Sequence, residues 1–261
     1  MLNKGGVILN YKGHILRHEL KYYINYQEYT YLKNRIKNIL NLDENATEGI
    51  GYHIRSLYFD DIYNSALEEK LSGVLKRKKY RIRIYDELDK VIKLECKEKY
   101  GEYISKTSTN ITREQFYDII FERGINFLLE KEKQVANNFF IDTKTRLLKP
   151  AVITDYCREA YILDAGNVRI TFDKNLKAGI NSPDIFSPEL ITVSAMPQNM
   201  MILEIKYDGF LPKYIRQLLK ISKHDRSAIS KFVICRLLQF KLNPVSHSIF
   251  NNWTQSSYKS I

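Results

Sequence analysis

The sequence predicts an α+β protein whose antiparallel strands, separated by helices, curl into a barrel or deep groove with a charged lining. Three observations carry that prediction. Lys79-Tyr80-Arg81-Ile82-Arg83-Ile84-Tyr85 places Arg81 and Arg83 on one face, because strand side chains alternate with period two. Val91-Ile92-Lys93-Leu94-Glu95-Cys96-Lys97 repeats the pattern, setting Lys93, Glu95 and Lys97 opposite Ile92, Leu94 and Cys96. The alternation returns at Tyr156 and Arg158, at Arg169, Thr171 and Asp173, and at Glu204, Lys206 and Asp208. A half-exposed sheet explains one such strand. Five of them, rich in the fixed donor fork of arginine, point to a lining that receives a polyanion.

The elements follow in order. A polar leader over 1–13 precedes a strand over 14–24, where Arg17, Glu19 and Lys21 share a face. Residues 27–40 show helical spacing through Tyr31, Leu32, Ile36, Ile39 and Leu40. After a loop with Gly49 and Gly51 comes a strand over 53–59 and a short helix over 63–71. Three short segments, 76–86, 91–100 and 103–111, read as an antiparallel meander. Thr112 and Gln115 form a capping box for a helix ending near Gly124, and a second helix covers 125–144. Pro150 opens a strand-rich half with strands over 151–163, 167–174 and 200–207 and a loop over 179–198. Pro212 starts a helix over 213–220. A last helix over 226–242, with Ile229, Phe232, Val233, Leu237 and Phe240 as its apolar stripe, stops at Pro244, and a polar tail over 243–261 holds the single Trp253.

Composition narrows the partners. With 261 residues, 44% of them hydrophobic, the chain suits one large domain, 14–242, between the leader and the tail. Its 41 Lys and Arg against 30 Asp and Glu give a charge of +11, which favours phosphate-rich partners. Cys96, Cys157 and Cys235 have no CxxC spacing, so the chain reads as a protein of a reducing compartment. It lacks a signal-peptide core and any stretch of the ~18 apolar residues that a spanning helix needs, which predicts a cytoplasmic location.

The familiar catalytic motifs are missing. There is no GxxxxGK[ST] phosphate loop and no GxSxG elbow, and Gly49-Ile50-Gly51 lacks the third glycine of a dinucleotide loop. His14 and His18 are spaced i, i+4 without an HExxH pattern. Glu204, on an otherwise apolar strand, reads either as the partner of a nearby cation or as a ligand for a hard divalent ion bound with phosphates.

Taken in order, Arg17-x-x-x-Lys21-Tyr22, Ile54-Arg55-Ser56-Leu57-Tyr58-Phe59-Asp60, Tyr80-Arg81-Ile82-Arg83-Ile84-Tyr85, Glu95-Cys96-Lys97, Arg158, Val168-Arg169-Ile170-Thr171-Phe172-Asp173, Leu203-Glu204-Ile205-Lys206 and Ser230-Lys231-Phe232 resemble the VTC domain. That is the catalytic domain of the vacuolar transporter chaperone polyphosphate polymerases, in the triphosphate tunnel metalloenzyme superfamily. The resemblance covers about 14–240. It implies an antiparallel β tunnel barrel decorated by helices. It also implies ATP and inorganic polyphosphate as ligands, and a divalent metal, Mn²⁺ or Mg²⁺, as cofactor. By position, Arg81, Arg83, Lys97, Arg158 and Arg169 would act on the reacting phosphates, and Arg17, Lys21, Tyr156, Ser230 and Lys231 would bind phosphate. Glu204 would hold the metal. Where the family often has a second basic residue before the Ser-Lys-aromatic element, this chain has Ala228, with Lys223 and Arg226 further off.

The activity the resemblance implies is transfer of the γ-phosphate of ATP to a growing polyphosphate chain. Two relatives of that reading use the same lining: a triphosphatase, with water as acceptor, and a non-catalytic polyphosphate sensor. Nucleic acid is disfavoured as a partner because the charges are placed inward. No span is expected in this chain, and a membrane partner is compatible with the reading.

Overall fold

The computed structural model describes residues 10–11, 14–15, 17–47, 49–101, 103–220 and 227–242. Lys223, Arg226, Trp253, the tail and most of the leader lie outside them. Twelve strands and seven helices alternate along these residues. β1 (Asn10–Tyr11) pairs with β2 (His14–Ile15), so the end of the expected leader forms a ladder. Then come β3 (His18–Asn25), α1 (Tyr26–Ile36), β4 (Asn41–Leu42), β5 (Tyr52–Asp60) and α2 (Ser65–Leu71). The meander is β6 (Lys76–Tyr85), β7 (Leu88–Tyr100) and β8 (Tyr103–Asn110), followed by α3 (Arg113–Ile120), α4 (Phe127–Glu130) and α5 (Gln134–Arg146). The second half holds β9 (Lys149–Leu163), β10 (Val168–Gly179), β11 (Thr192–Ser194), β12 (Met200–Tyr207), α6 (Lys213–Leu219) and α7 (Lys231–Leu242).

Ten of the strands make one antiparallel sheet, with the main path β3-β12-β10-β9-β5-β6-β7-β8 and with β11 on β10 and β4 on β9. The sheet curls until its edge strands approach. Arg17 and Ile104 exchange backbone hydrogen bonds at 3.2 and 3.3 Å, the one bridge between β3 and β8 among the described residues. The ladder is otherwise open there.

On β6, β7, β10 and β12 the apolar face turns outward beneath the helices. Ile82, Ile84 and Leu94 are fully buried against Phe116 of α3 and Phe139 of α5. Each contributes about 1.5–3 kcal/mol by leaving water. Leu203, Ile205, Ile170 and Phe172 pack in the same way against Leu32 and Ile36 of α1 and Ile215 of α6. Local signals start the helices that hold this layer. Asn25 accepts from the Glu28 amide at 2.9 Å while Glu28 accepts from the Asn25 amide at 2.8 Å, and Thr112 with Gln115 repeats the reciprocal cap. At α2 the buried Asp60 carboxylate accepts from the Ala66 and Leu67 amides.

Several expected boundaries differ. The helix expected over 125–144 is two, α4 and α5, because Glu132 takes a left-handed φ of 50° between them. β10 runs on to Gly179, since a bulge between Lys174 and Lys177 restores its ladder with β9. Pro150 lies inside β9, beside a register shift in β5 that accommodates its missing N–H. The strand expected over 14–24 is two strands, β2 and β3. α7 buries Phe232 and Cys235 together with Lys231, Arg236 and Gln239, whereas Leu237 is exposed. Its inner face is polar because Arg236 donates to Ala151 O at 3.1 Å, to Gln239 at 3.0 Å and to Asn64 at 2.5 Å.

Candidate functional site

The inward faces of the strands enclose a cavity of about 900 Å³. Among the described residues fourteen Lys and Arg line it, against three carboxylates, Glu19, Glu204 and Asp208. The residues expected to act on phosphate, Arg17, Lys21, Arg81, Arg83, Lys97, Tyr156, Arg158, Arg169, Ser230 and Lys231, all stand on its wall, as does Glu204. Strand periodicity brings them there. β6 sends Arg81 and Arg83 inward opposite the apolar Ile82 and Ile84, and register sets Arg81 against Tyr58 and Glu95.

Most of these cations are held from behind by a carboxylate. Arg158 forks onto Asp173 at 2.6 and 2.7 Å, and Lys231 pairs with the same Asp173. Arg81 donates to Glu95 at 2.7 Å and to the Tyr58 hydroxyl at 2.9 Å, while Lys106 meets the other Glu95 oxygen at 2.9 Å. Lys97 reaches across to Glu19 on β3 at 2.8 Å. Arg17 pairs with Asp208 at 2.7 Å, and Arg169 pairs with Asp43 at 2.5 Å and donates to the Tyr52 hydroxyl at 2.9 Å. Arg83 differs: it donates to the neutral hydroxyls of Ser56 at 3.1 Å and Tyr156 at 3.3 Å, and Glu95 stands 4.0 Å away. It is buried and has the least charge compensation of the deep arginines.

The electrostatics follow from this packing. Burial opposes ionisation of Asp173, but Arg158 and Lys231 outweigh it and hold the carboxyl down to about 2. Burial likewise opposes Glu204, and Lys206, Lys21 and Lys231 keep it well below the usual carboxylate range. Tyr156 is buried too, yet Arg158, Arg83 and Lys231 lower its phenol. The deep arginines thus form a fixed array of charged donors, whereas burial among other cations lowers the ammonium of Lys97 to about 7 and that of Lys79 to about 6.

Glu204 lies 3.2 Å from Lys21 and pairs with Lys206. Glu19 lies 3.6 Å from each of the same two lysines. Two carboxylates on neighbouring strands, open to a basic cavity, form an oxygen donor set that suits Mg²⁺ or Mn²⁺ bound together with phosphates. Another cluster, His53, Glu87 and Asp155, has metal-ligand composition but lies around a smaller pocket. There Arg55 already holds both carboxylates, at 2.7 and 3.0 Å.

Some of the lining escaped the sequence reading. Arg77 and Lys79 continue the alternation of β6 backward from Arg81, a signal that a longer window captures. Lys99 and Lys106 also follow strand alternation, whereas Lys93, expected on this face, is absent from the lining. Lys70 projects from α2 and carries no strand signal. Ala228 lines the cavity, whereas Lys223 and Arg226 lie outside the described residues. Gly51 lets the loop before β5 lie on the Arg158 backbone, since a Cβ there would come within 2.2 Å of the Arg158 carbonyl oxygen.

The chain is similar in fold to several solved structures at low identity. PH1012 protein from Pyrococcus horikoshii OT3 aligns at 14% identity and a TM-score of 0.46, over 84% of this chain and 98% of the other. PH1819 protein from the same organism aligns at 13% and 0.41, over 87% and 99%. A chain of the Mediator head module of Schizosaccharomyces pombe aligns at 8% and 0.44, over 81% and 98%. No curated protein sequence matches it. The family model described as VTC domain matches residues 16–240, which span the entire cation-lined sheet from Arg17 to α7, and the chain therefore belongs to the VTC domain family.

Proposed function

We propose that this protein is a metal-dependent polyphosphate polymerase that transfers the γ-phosphoryl group of ATP to the end of a polyphosphate chain held in the basic cavity. The observation that carries the reading is the convergence of Arg81, Arg83, Arg158 and Lys231 on one enclosed space. Phosphoryl transfer needs positioning and charge neutralisation more than covalent chemistry. The acceptor is the terminal phosphate of the chain, already anionic, so no protein base has to generate it.

Arg83 and Arg81 would grip donor phosphate oxygens from β6, and Arg158 and Lys231 would do so from β9 and α7. Buried carboxylates keep Arg81, Arg158 and Lys231 oriented before substrate arrives, and the Ser56 and Tyr156 hydroxyls do so for Arg83, so little reorganisation accompanies charge shift in the transition state. The Tyr156 and Ser230 hydroxyls would add neutral donors, and Arg17, Lys21, Lys97 and Arg169 would hold the flanking phosphates. A divalent cation at Glu204, with Glu19 beside it, would supply further neutralisation at the phosphate oxygens. As the bond to the γ-phosphorus forms from the chain end, the bond to the leaving oxygen breaks and ADP departs.

The location that accords with this reading is the cytoplasm, which suits three free cysteines of which Cys96 and Cys235 are buried. Among the described residues no helix is long and apolar enough to cross a membrane. The decisive experiment incubates the pure protein with ATP, Mn²⁺ and a short polyphosphate primer and resolves the products by size. ADP with polymers longer than the primer is expected. Orthophosphate alone would assign a triphosphatase, and tight polyphosphate binding with no turnover under any divalent metal would assign a sensor.

A further inference from the structure

The cations of the cavity fall into two groups. The deep group is backed by carboxylates: Arg81 by Glu95, Arg158 and Lys231 by Asp173, Lys21 by Glu204. Lys70 of α2 and Arg77 and Lys79 of β6 form the second group, and among the described residues none of them makes an ion pair. Glu69 acts on Arg77 without pairing with it. What they do contact is neutral. Arg77 donates to the Val74 carbonyl, and Lys79 lies 3.4 Å from the Ser230 hydroxyl and 4.5 Å from the centre of the Phe232 ring.

We propose that Lys70, Arg77 and Lys79 form a chain-binding subsite, separate from the deep phosphate ring, that holds the already joined phosphates of an inorganic polyphosphate. The proposal rests on the basic cavity as a phosphate site and adds where the body of the chain lies. Arg77, Lys79, Arg81 and Arg83 stand on one face of β6, and at strand rise the row runs about 20 Å from Arg77 to Arg83. A single triphosphate held at the deep arginines leaves the outer end of that row without a counter-charge. An extended polyanion fills both.

The electrostatics support the same placement. Burial, together with Arg77, Lys70, Lys97 and Lys21, lowers the Lys79 ammonium to about 6, and burial with Arg77, Lys99 and Lys21 lowers Lys70. Like charges crowded without partners are relieved by an arriving anion, so binding energy is available here that the paired cations of the deep ring have already partly spent on their carboxylates. Phosphate suits the site better than a nucleic acid strand, which needs aromatic faces to stack on. The aromatic rings at this end are covered by cations: the buried Phe232 lies under Lys79, and Tyr58, packed against it, lies under Arg81.

The test measures binding without nucleotide or metal, so it reads separately from polymerase activity. Affinities for tripolyphosphate and for a polyphosphate of many tens of units are compared in the wild type and in K70Q/R77Q/K79Q, with thermal unfolding as the check on folding. The substitutions should weaken the long chain at least tenfold more than the short one. R77K/K79R, which keeps the charge, should retain most of the wild-type ratio and guards against a folding artefact. An equal loss for both ligands, or no loss, overturns the subsite. Stronger competition by single-stranded oligonucleotide than by polyphosphate overturns the ligand class. A polymerase reading that fails through release of orthophosphate alone leaves the length-dependent binding to be judged on its own result.

Discussion

Arg158 on β9 and Asp173 on β10 face each other in register, and the guanidinium gives Nε and Nη2 to the two carboxylate oxygens at 2.6 and 2.7 Å. Asp173 is buried behind the wall, and Arg158 still lines the cavity. The carboxylate therefore fixes the direction of the arginine without occupying the cavity itself. Glu95 does the same for Arg81, from a fully buried position on β7. A charged lining built this way is rigid before any anion enters, because each guanidinium has a bonded edge inside the fold.

Removal of the Asp173 charge should cost stability and leave two cations, Arg158 and Lys231, buried without a partner. D173N is expected to lose about 3–5 kcal/mol, the usual penalty for breaking a buried pair from one side. Urea denaturation at neutral pH measures it. The acid limb carries the same signature: with its pKa lowered from 3.8 to about 2, Asp173 stabilises the fold above pH 4, and this contribution disappears as pH falls towards 2. Its share is roughly 2 kcal/mol. A wild type and a D173N variant that lose stability in parallel over that interval would place the shift elsewhere.

The proposed metal role of Glu204 predicts a loss of Mn²⁺ binding in E204Q, which keeps the shape of the side chain and removes its charge. Calorimetric titration of Mn²⁺ in the presence of tripolyphosphate is the readout, and turnover should fall with it. Because Glu204 pairs with Lys21 and Lys206, some stability is lost as well, so the titration is run where circular dichroism shows the variant folded. Unchanged Mn²⁺ affinity would leave Glu204 as a partner of its lysines only.

Much of this site was legible as alternation. Arg81 and Arg83, Arg158, Arg169 with Asp173, and Glu204 with Lys206 each follow from period two within a single strand, which needs no knowledge of the fold. Their pairing was not legible, since the contact of Arg158 with Asp173 depends on the register of β9 with β10, which runs unbroken from the turn between Leu163 and Val168. Lys70 was invisible for a related reason: it reaches the cavity from a helix whose docking is tertiary. The α7 reading went astray because a helix whose inner face meets a polar part of the sheet buries Arg236 and Gln239 there instead of a purely apolar stripe.

Arg83 offers the sharpest test of guanidinium geometry. Its two hydrogen bonds go to Ser56 and Tyr156, neutral groups that orient the fork without neutralising it. An ammonium in its place keeps the charge and loses the planar pair of donors. R83K should therefore lower the polymerisation rate at least roughly tenfold, about 1.4 kcal/mol of transition-state stabilisation. The fall should appear in kcat, with the fold intact by thermal unfolding. A rate equal to wild type would remove Arg83 from contact with the reacting phosphates.

Lys79 makes polyphosphate affinity depend on pH in a direction that can be worked out. Burial among Arg77, Lys70, Lys97 and Lys21, beside the neutral Ser230 hydroxyl and Phe232 ring, holds its free pKa down to about 6. A bound phosphate chain favours the charged ammonium and raises that pKa, so binding takes up a proton wherever the free amine is neutral and the bound one is not. Affinity should be flat below pH 6 and fall as pH rises above it, by at most about tenfold per unit for a single coupled proton. Titration of polyphosphate affinity from pH 5.5 to 8 at fixed salt gives the profile, over a range of about two and a half units in which phosphate end groups also ionise. Those end groups are few on a long chain, and K79Q separates the two sources: it should flatten the decline while leaving the end-group contribution. An identical slope in wild type and K79Q would show that the chain does not reach Lys79.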